Sequence, residues 1–324
     1  MFSILIIAIA LLASLSDPRM EQQETVPEPP PPLDELIPHG EREDGNTILR
    51  VLFGNDVTEM TMERYLIGVL AAEMPASFEL EALKAQAAAA RTNVMYNMRV
   101  MPKTRHPDAH VCTDYSCCAA FTRDELLRER WGDDYVRYIS GIISAVIETD
   151  GVYISYEDEP ILAVFHSSSG GKTETSGNVW LTDLPYLLSV DSPETAEQVP
   201  NFISVVSVTR ADFIEKILSS YPQAVFGADE ELWITDVTHT ESGRVFDLAI
   251  GGVTVRGTSL RSMFGLRSTA LEIELVGDDI LFTTTGFGHG VGMSQYGANA
   301  MAAEGRDYKD ILNHYYSQAP IISP

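Results

Sequence analysis

The chain has 324 residues, room for a large core or for two lobes. Hydrophobic residues make up 45% and aromatics 9%, which excludes a disordered protein. The formal charge of −25 argues against a nucleic-acid partner and against anionic membrane surfaces, because a basic patch is hard to sustain on that background.

Phe2 to Ser16 is an apolar run with the length of a signal h-region, shorter than the ~20 residues that cross a bilayer comfortably. Its positive n-region is missing apart from the terminal amine. Ser14 and Ser16 allow cleavage before Asp17, while Pro18 disfavours it, so we read residues 1–16 as an export signal, either cleaved or retained as a membrane anchor. Either outcome puts the rest of the chain outside the cytoplasm. Residues 17–46 are rich in proline and acid without apolar periodicity, which predicts an extended, solvated linker. Residues 47–324 are then one folded unit. It opens with a strand over 47–53 and a turn at Gly54-Asn55-Asp56.

Tyr65, Leu66, Val69 and Leu70 recur at helical spacing behind a candidate N-cap, Thr61. Pro75 biases Met74 away from helical angles and must end that helix. A second helix starts near Glu79, with Leu80, Leu83, Ala87, Ala90 and Val94 on one face. Glu73 therefore sits in the last turn of an apolar helix, where the macrodipole disfavours negative charge. Apolar neighbours and the dipole both raise its pKa, as a general acid near neutral pH requires. Lys84 and Arg91, seven apart on the second helix, share one face.

A polar loop over 102–119 holds His106, His110 and all three cysteines: Cys112, Cys117 and Cys118. Thr122 and Glu125 read as a capping box for a helix reaching Arg130, and 133–148 as a further helix. Residues 152–156 and 161–165 read as a hairpin that delivers His166-Ser-Ser-Ser-Gly-Gly-Lys-Thr-Glu174. A strand at 205–208 and a helix at 212–220 follow. From 232 to 281 come short strands, with a short helix at 259–264. Gly286-Phe-Gly-His-Gly-Val-Gly-Met-Ser-Gln-Tyr-Gly297 then leads into two closing helices. This order predicts an α+β fold of mixed helices and antiparallel hairpins, which can be arranged as two lobes with the active-site cleft between them.

Three constellations can carry chemistry. His106, Cys112 and Cys118 are spaced by six and six, and with Cys117 they offer the imidazole and thiolate donors that zinc prefers in a closed structural site. His110 is the alternative fourth ligand. The Ser167–Gly171 run lacks a GxSxG elbow, so it reads as a loop offering hydroxyls and close backbone approach rather than as a nucleophile. The glycine-rich run around His289 has the wrong spacing for a dinucleotide fingerprint; His289 can orient Glu73 or a substrate hydroxyl.

Four stretches, Ala71–Thr92, Phe165–Glu174, Pro185–Pro193 and Gly288–Gly297, together resemble the stage II sporulation protein D family from about Asn46 to Gln318. The resemblance implies a membrane-anchored lytic transglycosylase that cleaves peptidoglycan glycan strands during forespore engulfment. It places the family's catalytic glutamate on Glu73, and zinc on His106, Cys112 and Cys118. Cys117 stands where many members have histidine. With Glu73 in the catalytic role, we expect Lys84, Arg91, Ser168, Ser169, Gly171, His289 and Gln295 to hold the sugar. The family's expected partners are the engulfment amidase, stage II sporulation protein P, and the membrane protein stage II sporulation protein M; its expected place is the cell membrane facing the wall. A lone carboxylate suits this reaction, because the muramic acid C6 hydroxyl is the nucleophile and no second carboxylate is needed to activate water. Two rivals remain: a two-carboxylate hydrolase pairing Glu73 with Glu79 or Glu174, and a wall-binding amidase activator, since the amidase enhancer resembles this family.

Overall fold

A computed structural model describes residues 30–180 and 182–324. The candidate signal lies outside the described residues. Among those described, no helix is long and apolar enough to cross a membrane.

Two hydrophobic cores divide an α+β chain. The larger is built around the helix Met62–Glu73, capped at Thr61 by a hydrogen bond from Arg64 N (3.2 Å). Nine of its twelve residues are buried, Tyr65, Leu66, Ile67, Val69 and Leu70 almost completely. It leaves helical geometry at Met74 (φ −124°, ψ 139°), as Pro75 demands. The helix Leu80–Arg99 carries Ala85 and Ala87–Ala90 at or near zero exposure. With no side-chain bulk there, helices 62–73, 135–147, 295–303 and 308–315 all pack closely against it.

The smaller core lies under a sheet in which Asp279–Thr285 is the centre strand, paired antiparallel with Leu271–Val276 and Ile203–Thr209. A second small sheet and the helices Arg210–Ser220 and Gly257–Phe264 complete it, closed by stacked Phe213, Phe264 and Phe282.

Two local expectations need correcting. The predicted solvated linker does not extend to Asn46: residues 33–36 and 43–46 are helical and packed on the larger core. Leu33 is buried, the Arg128 guanidinium donates to the Pro30 and Pro31 carbonyls (2.7 and 2.5 Å), and the Asp150 carboxylate accepts from the amides of Glu43 and Asp44 (2.8 and 2.9 Å). Polar partners about a hundred residues away in the chain, invisible to a hydrophobicity pattern, hold this segment. The hairpin after Val152 is also shorter than predicted, pairing only Ser155 and Tyr156 with Pro160 and Glu159, while Tyr153 and Ile154 pair with Ile322 and Ile321. Phe165–His166 instead pairs in parallel with Met293–Ser294, which brings the serine run and the glycine-rich run together.

Candidate active site

Glu73 ends its helix at the wall of a cleft of about 440 Å³. Tyr65, Val69, Ala90, Val94 and Val111 supply an apolar wall, and Ser167, His289, Gln295 and Arg261 supply polar groups. Arg261 comes from the helix Gly257–Phe264 of the smaller core, so both cores contribute to the site. Among the described residues, Glu73 is the one carboxylate lining this cleft. Burial raises its pKa, and a hydrogen bond from the Ala120 amide to Oε1 (2.6 Å) works in the opposite direction.

The two carboxylates considered as its partner are elsewhere. Glu79 is exposed at the start of the second helix, its amide bound to Asn299 Oδ1 (2.8 Å). Glu174 is buried and occupied by donors: Thr175 N, Asn178 Nδ2, Thr240 Oγ1 and Ser242 Oγ, at 2.8, 2.7, 2.5 and 2.6 Å.

His289 lies at the cleft with its ring against Trp180 and His166, centroids 5.3 and 5.5 Å away. Its Nδ1 accepts from Val291 N (3.1 Å), which leaves Nε2 as the donor nitrogen of a neutral ring. Burial and the Arg261 guanidinium lower its pKa to about 4, so it is neutral at working pH and cannot serve as an acid there. Gln295 also lines the cleft, its Nε2 3.5 Å from Gln86 Oε1.

The remaining predicted sugar-holding residues do not line this cleft. Arg91 is 1% exposed and pairs with buried Asp44 (2.6 Å), with further bonds to Val152 and Val146 carbonyls. It fastens residues 43–46 to the core. Lys84 bridges Glu81 and Glu148 (2.6 and 2.7 Å). Ser168 and Ser169 are buried with their hydroxyls turned to Glu194 (3.3 and 2.7 Å), and the carbonyl of Gly171, at φ +109°, accepts from Ser192 N (2.9 Å).

Glu194 is the residue that sequence reasoning missed. Its carboxylate accepts from Ser168, Ser169, Ser192 and Ser294 hydroxyls and from the Ser169 amide. Burial pushes its pKa up, but these donors outweigh that and hold it below the usual carboxylate range. Ser294 caps the helix Gln295–Ala303, and the Ser167 carbonyl accepts from Tyr296 N (3.0 Å). Glu194 thus locks together the two segments that carry Ser167 and Gln295 to the cleft. Nothing in its acidic, surface-like surroundings in sequence marks it. Arg261 carries no motif either, because only the fold brings its helix to Glu73.

Beside the cleft, His106, Cys112, Cys117 and Cys118 place one ligand atom each within 4.8 Å of one another. His106 Nε2 lies 3.6 and 3.5 Å from the Cys117 and Cys118 sulfurs. Its Nδ1 is 3.1 Å from the Ala109 carbonyl, the second bond that orients a metal-binding imidazole. The cluster can therefore hold a metal ion. His110, the alternative ligand, is turned away: its Nδ1 accepts from Arg50 N (3.1 Å). Two residues beyond Cys118, the Ala120 amide holds Glu73.

The profile of the stage II sporulation protein family (SpoIID) matches residues 54–156. Stage II sporulation protein D of Bacillus amyloliquefaciens is 37% identical over 267 residues, covering 82% of this chain and 76% of that protein. Its counterpart in Bacillus subtilis (strain 168) is 38% identical over 265 residues, covering 82% and 75%. The amidase enhancer of Bacillus subtilis (strain 168) is 28% identical over 307 residues, covering 80% of this chain and 40% of that protein.

Proposed function

Because the chain belongs to the stage II sporulation protein D family, we propose that it is a lytic transglycosylase of the sporulating cell's wall, active in engulfment. The observation that carries this reading is the single carboxylate, Glu73, in a cleft otherwise lined by apolar and neutral polar groups and one arginine. A hydrolase needs a second carboxylate to activate water or to attack the sugar, and neither Glu79 nor Glu174 is in place to do so.

In this mechanism Glu73, whose pKa burial raises, gives its proton to the glycosidic oxygen as the C1–O bond breaks. The Ala120 N–H supports the carboxylate that forms. That carboxylate then takes the proton of the substrate's own C6 hydroxyl as O6 bonds to C1. The products are a 1,6-anhydro end and a free hydroxyl end; no water is consumed. Neutral His289, with Gln295 and Ser167, supplies hydrogen bonds to the sugar.

The His106–Cys118 cluster fits zinc by donor type, and in this reading the ion is structural. It would pin the loop that ends at the Ala120 amide. The enzyme acts outside the cytoplasm, held near the membrane by its N-terminal segment, and works beside an amidase and a membrane protein of the engulfment machinery.

Mass analysis of products from peptide-stripped glycan strands tests the reaction. Anhydro ends without added water are expected, and Glu73→Gln should release none. Hydrated ends would overturn the mechanism. The similarity to the amidase enhancer favours one second reading, a wall-bound activator of an amidase. Under that reading the pure protein cleaves nothing and accelerates an added amidase.

A further inference from the structure

We propose that Phe287 is a stacking platform for a saccharide ring at the edge of the cleft, a subsite separate from the residues that handle protons. The inference rests on the glycan-cleaving reading above for its substrate class. Its evidence is the local construction of residues 286–288.

Phe287 lines the cleft and is 42% exposed, a large apolar side chain left open to whatever enters the site. The exposure is built in. Ser168 and Phe287 form an isolated antiparallel bridge, with Ser168 N to Phe287 O at 3.0 Å and Phe287 N to Ser168 O at 2.8 Å. On either side of the ring stand glycines with positive φ, Gly286 (+77°) and Gly288 (+120°). A Cβ at Gly286 would meet the Ser168 carbonyl at 2.6 Å, and one at Gly288 would meet His166 Cβ at 2.7 Å. Only glycines let the chain press this closely on the serine run. The chain turns its two bare positions inward and presents the one aromatic side chain between them.

Arg267 lies over the Phe287 ring, its guanidinium carbon 4.0 Å from the centroid. A cation covering one face leaves the exposure to the other face and the ring edges. The ring is thus fixed by its backbone and backed on one side, so little conformational entropy is lost when a ligand covers the other. The ligand chemistry that matches a flat, apolar, rigid face beside hydrogen-bonding groups is the C–H face of a pyranose, whose hydroxyls and amide point outward to polar partners such as Ser167 and His289.

The test uses direct binding. In a Glu73→Gln background, Phe287→Ala is titrated with chitotetraose and with peptide-stripped glycan fragments, following heat on mixing. Phe287→Trp serves as the conservative variant, and circular dichroism checks the fold of each. Phe287→Ala should weaken binding of both ligands about tenfold, whereas Phe287→Trp should stay within about threefold of the parent and change its fluorescence on binding. In otherwise wild-type protein, Phe287→Ala should raise KM with kcat nearly unchanged, the signature of lost ground-state binding. Equal affinity of Phe287→Ala and parent for both saccharides would overturn the platform. If the sugars bind through Phe287 but wild type releases no anhydro ends, the platform stands and the transglycosylase reading fails.

Discussion

Replacing Glu73 with glutamine should separate activity from stability in opposite directions. The two side chains are nearly isosteric, and the amide oxygen can still accept from the Ala120 N–H that Oε1 now engages at 2.6 Å. The fold therefore has no cavity or lost hydrogen bond to absorb. Catalysis loses both proton transfers, each typically worth about 100- to 10,000-fold, so cleavage should fall below detection. Stability should go the other way. Burial raises the Glu73 pKa in the folded state, so folding favours its protonated form. That contribution is fully present below the unfolded carboxylate pKa and is lost as pH rises through the raised value. Above it, wild type carries a desolvated charge that Glu73→Gln lacks. Thermal unfolding followed by circular dichroism between pH 4 and pH 9 should show the variant equal or more stable at the alkaline end, with the gap closing on acidification. A variant less stable than wild type at pH 8 would refute the assignment of Glu73 as a strained, functionally placed acid; residual glycan cleavage would refute its role.

Asp44→Ala leaves the Arg91 guanidinium, 1% exposed, without its carboxylate, and should cost about 3–5 kcal/mol in denaturant unfolding. Asp44→Ala combined with Arg91→Met should recover part of that loss. Gly297→Ala drives a methyl into Tyr315 Oη and the hydrogen-bonded Ser192–Glu194 pair, and should cost about 1–3 kcal/mol by the same measurement. Elemental analysis should find one zinc per chain in wild type and in His110→Ala, and little in Cys112→Ser; a chelator should lower the melting temperature of the first two only. Glu194 has a depressed folded pKa, so its contribution is present above the unfolded value and is lost as pH falls through the folded one. Glu194→Gln should therefore be less stable than wild type at pH 7 and should show a shallower decline on acidification.

The parts of the site legible in sequence were those written in a local rule. Pro75 ends a helix wherever it falls, so the helical terminus at Glu73 could be read from residues 61–75 alone. Donor spacing within one short loop likewise marked His106, Cys112, Cys117 and Cys118. The fold class followed from the order of elements, with two cores where two lobes were allowed. What periodicity could not supply was the partner each polar side chain finds across the fold. Lys84 and Arg91 do share a helix, but Arg91 meets Asp44 of a segment read as linker, and Lys84 meets Glu148 of another helix. Ser168 and Ser169 could offer hydroxyls to a ligand or to a neighbour, and only the position of Glu194 decides for the neighbour.

Glu73 and Glu194 show why withdrawing a carboxylate from water does not alone decide which way its pKa moves. Each is withdrawn from water, a change that by itself raises the pKa of both. Glu73 has a single backbone donor, and the rise survives. Glu194 is surrounded by four hydroxyls and an amide, and the rise is reversed. Donors fixed around a carboxylate stabilise its charge and stop it from giving up or taking a proton near neutral pH, which suits a residue that must hold two segments in register. A carboxylate with one donor and an open apolar side can exchange its proton with whatever enters the cleft. The number of donors, more than depth of burial, separates the carboxylate proposed to carry the proton, Glu73, from Glu194, which holds the frame.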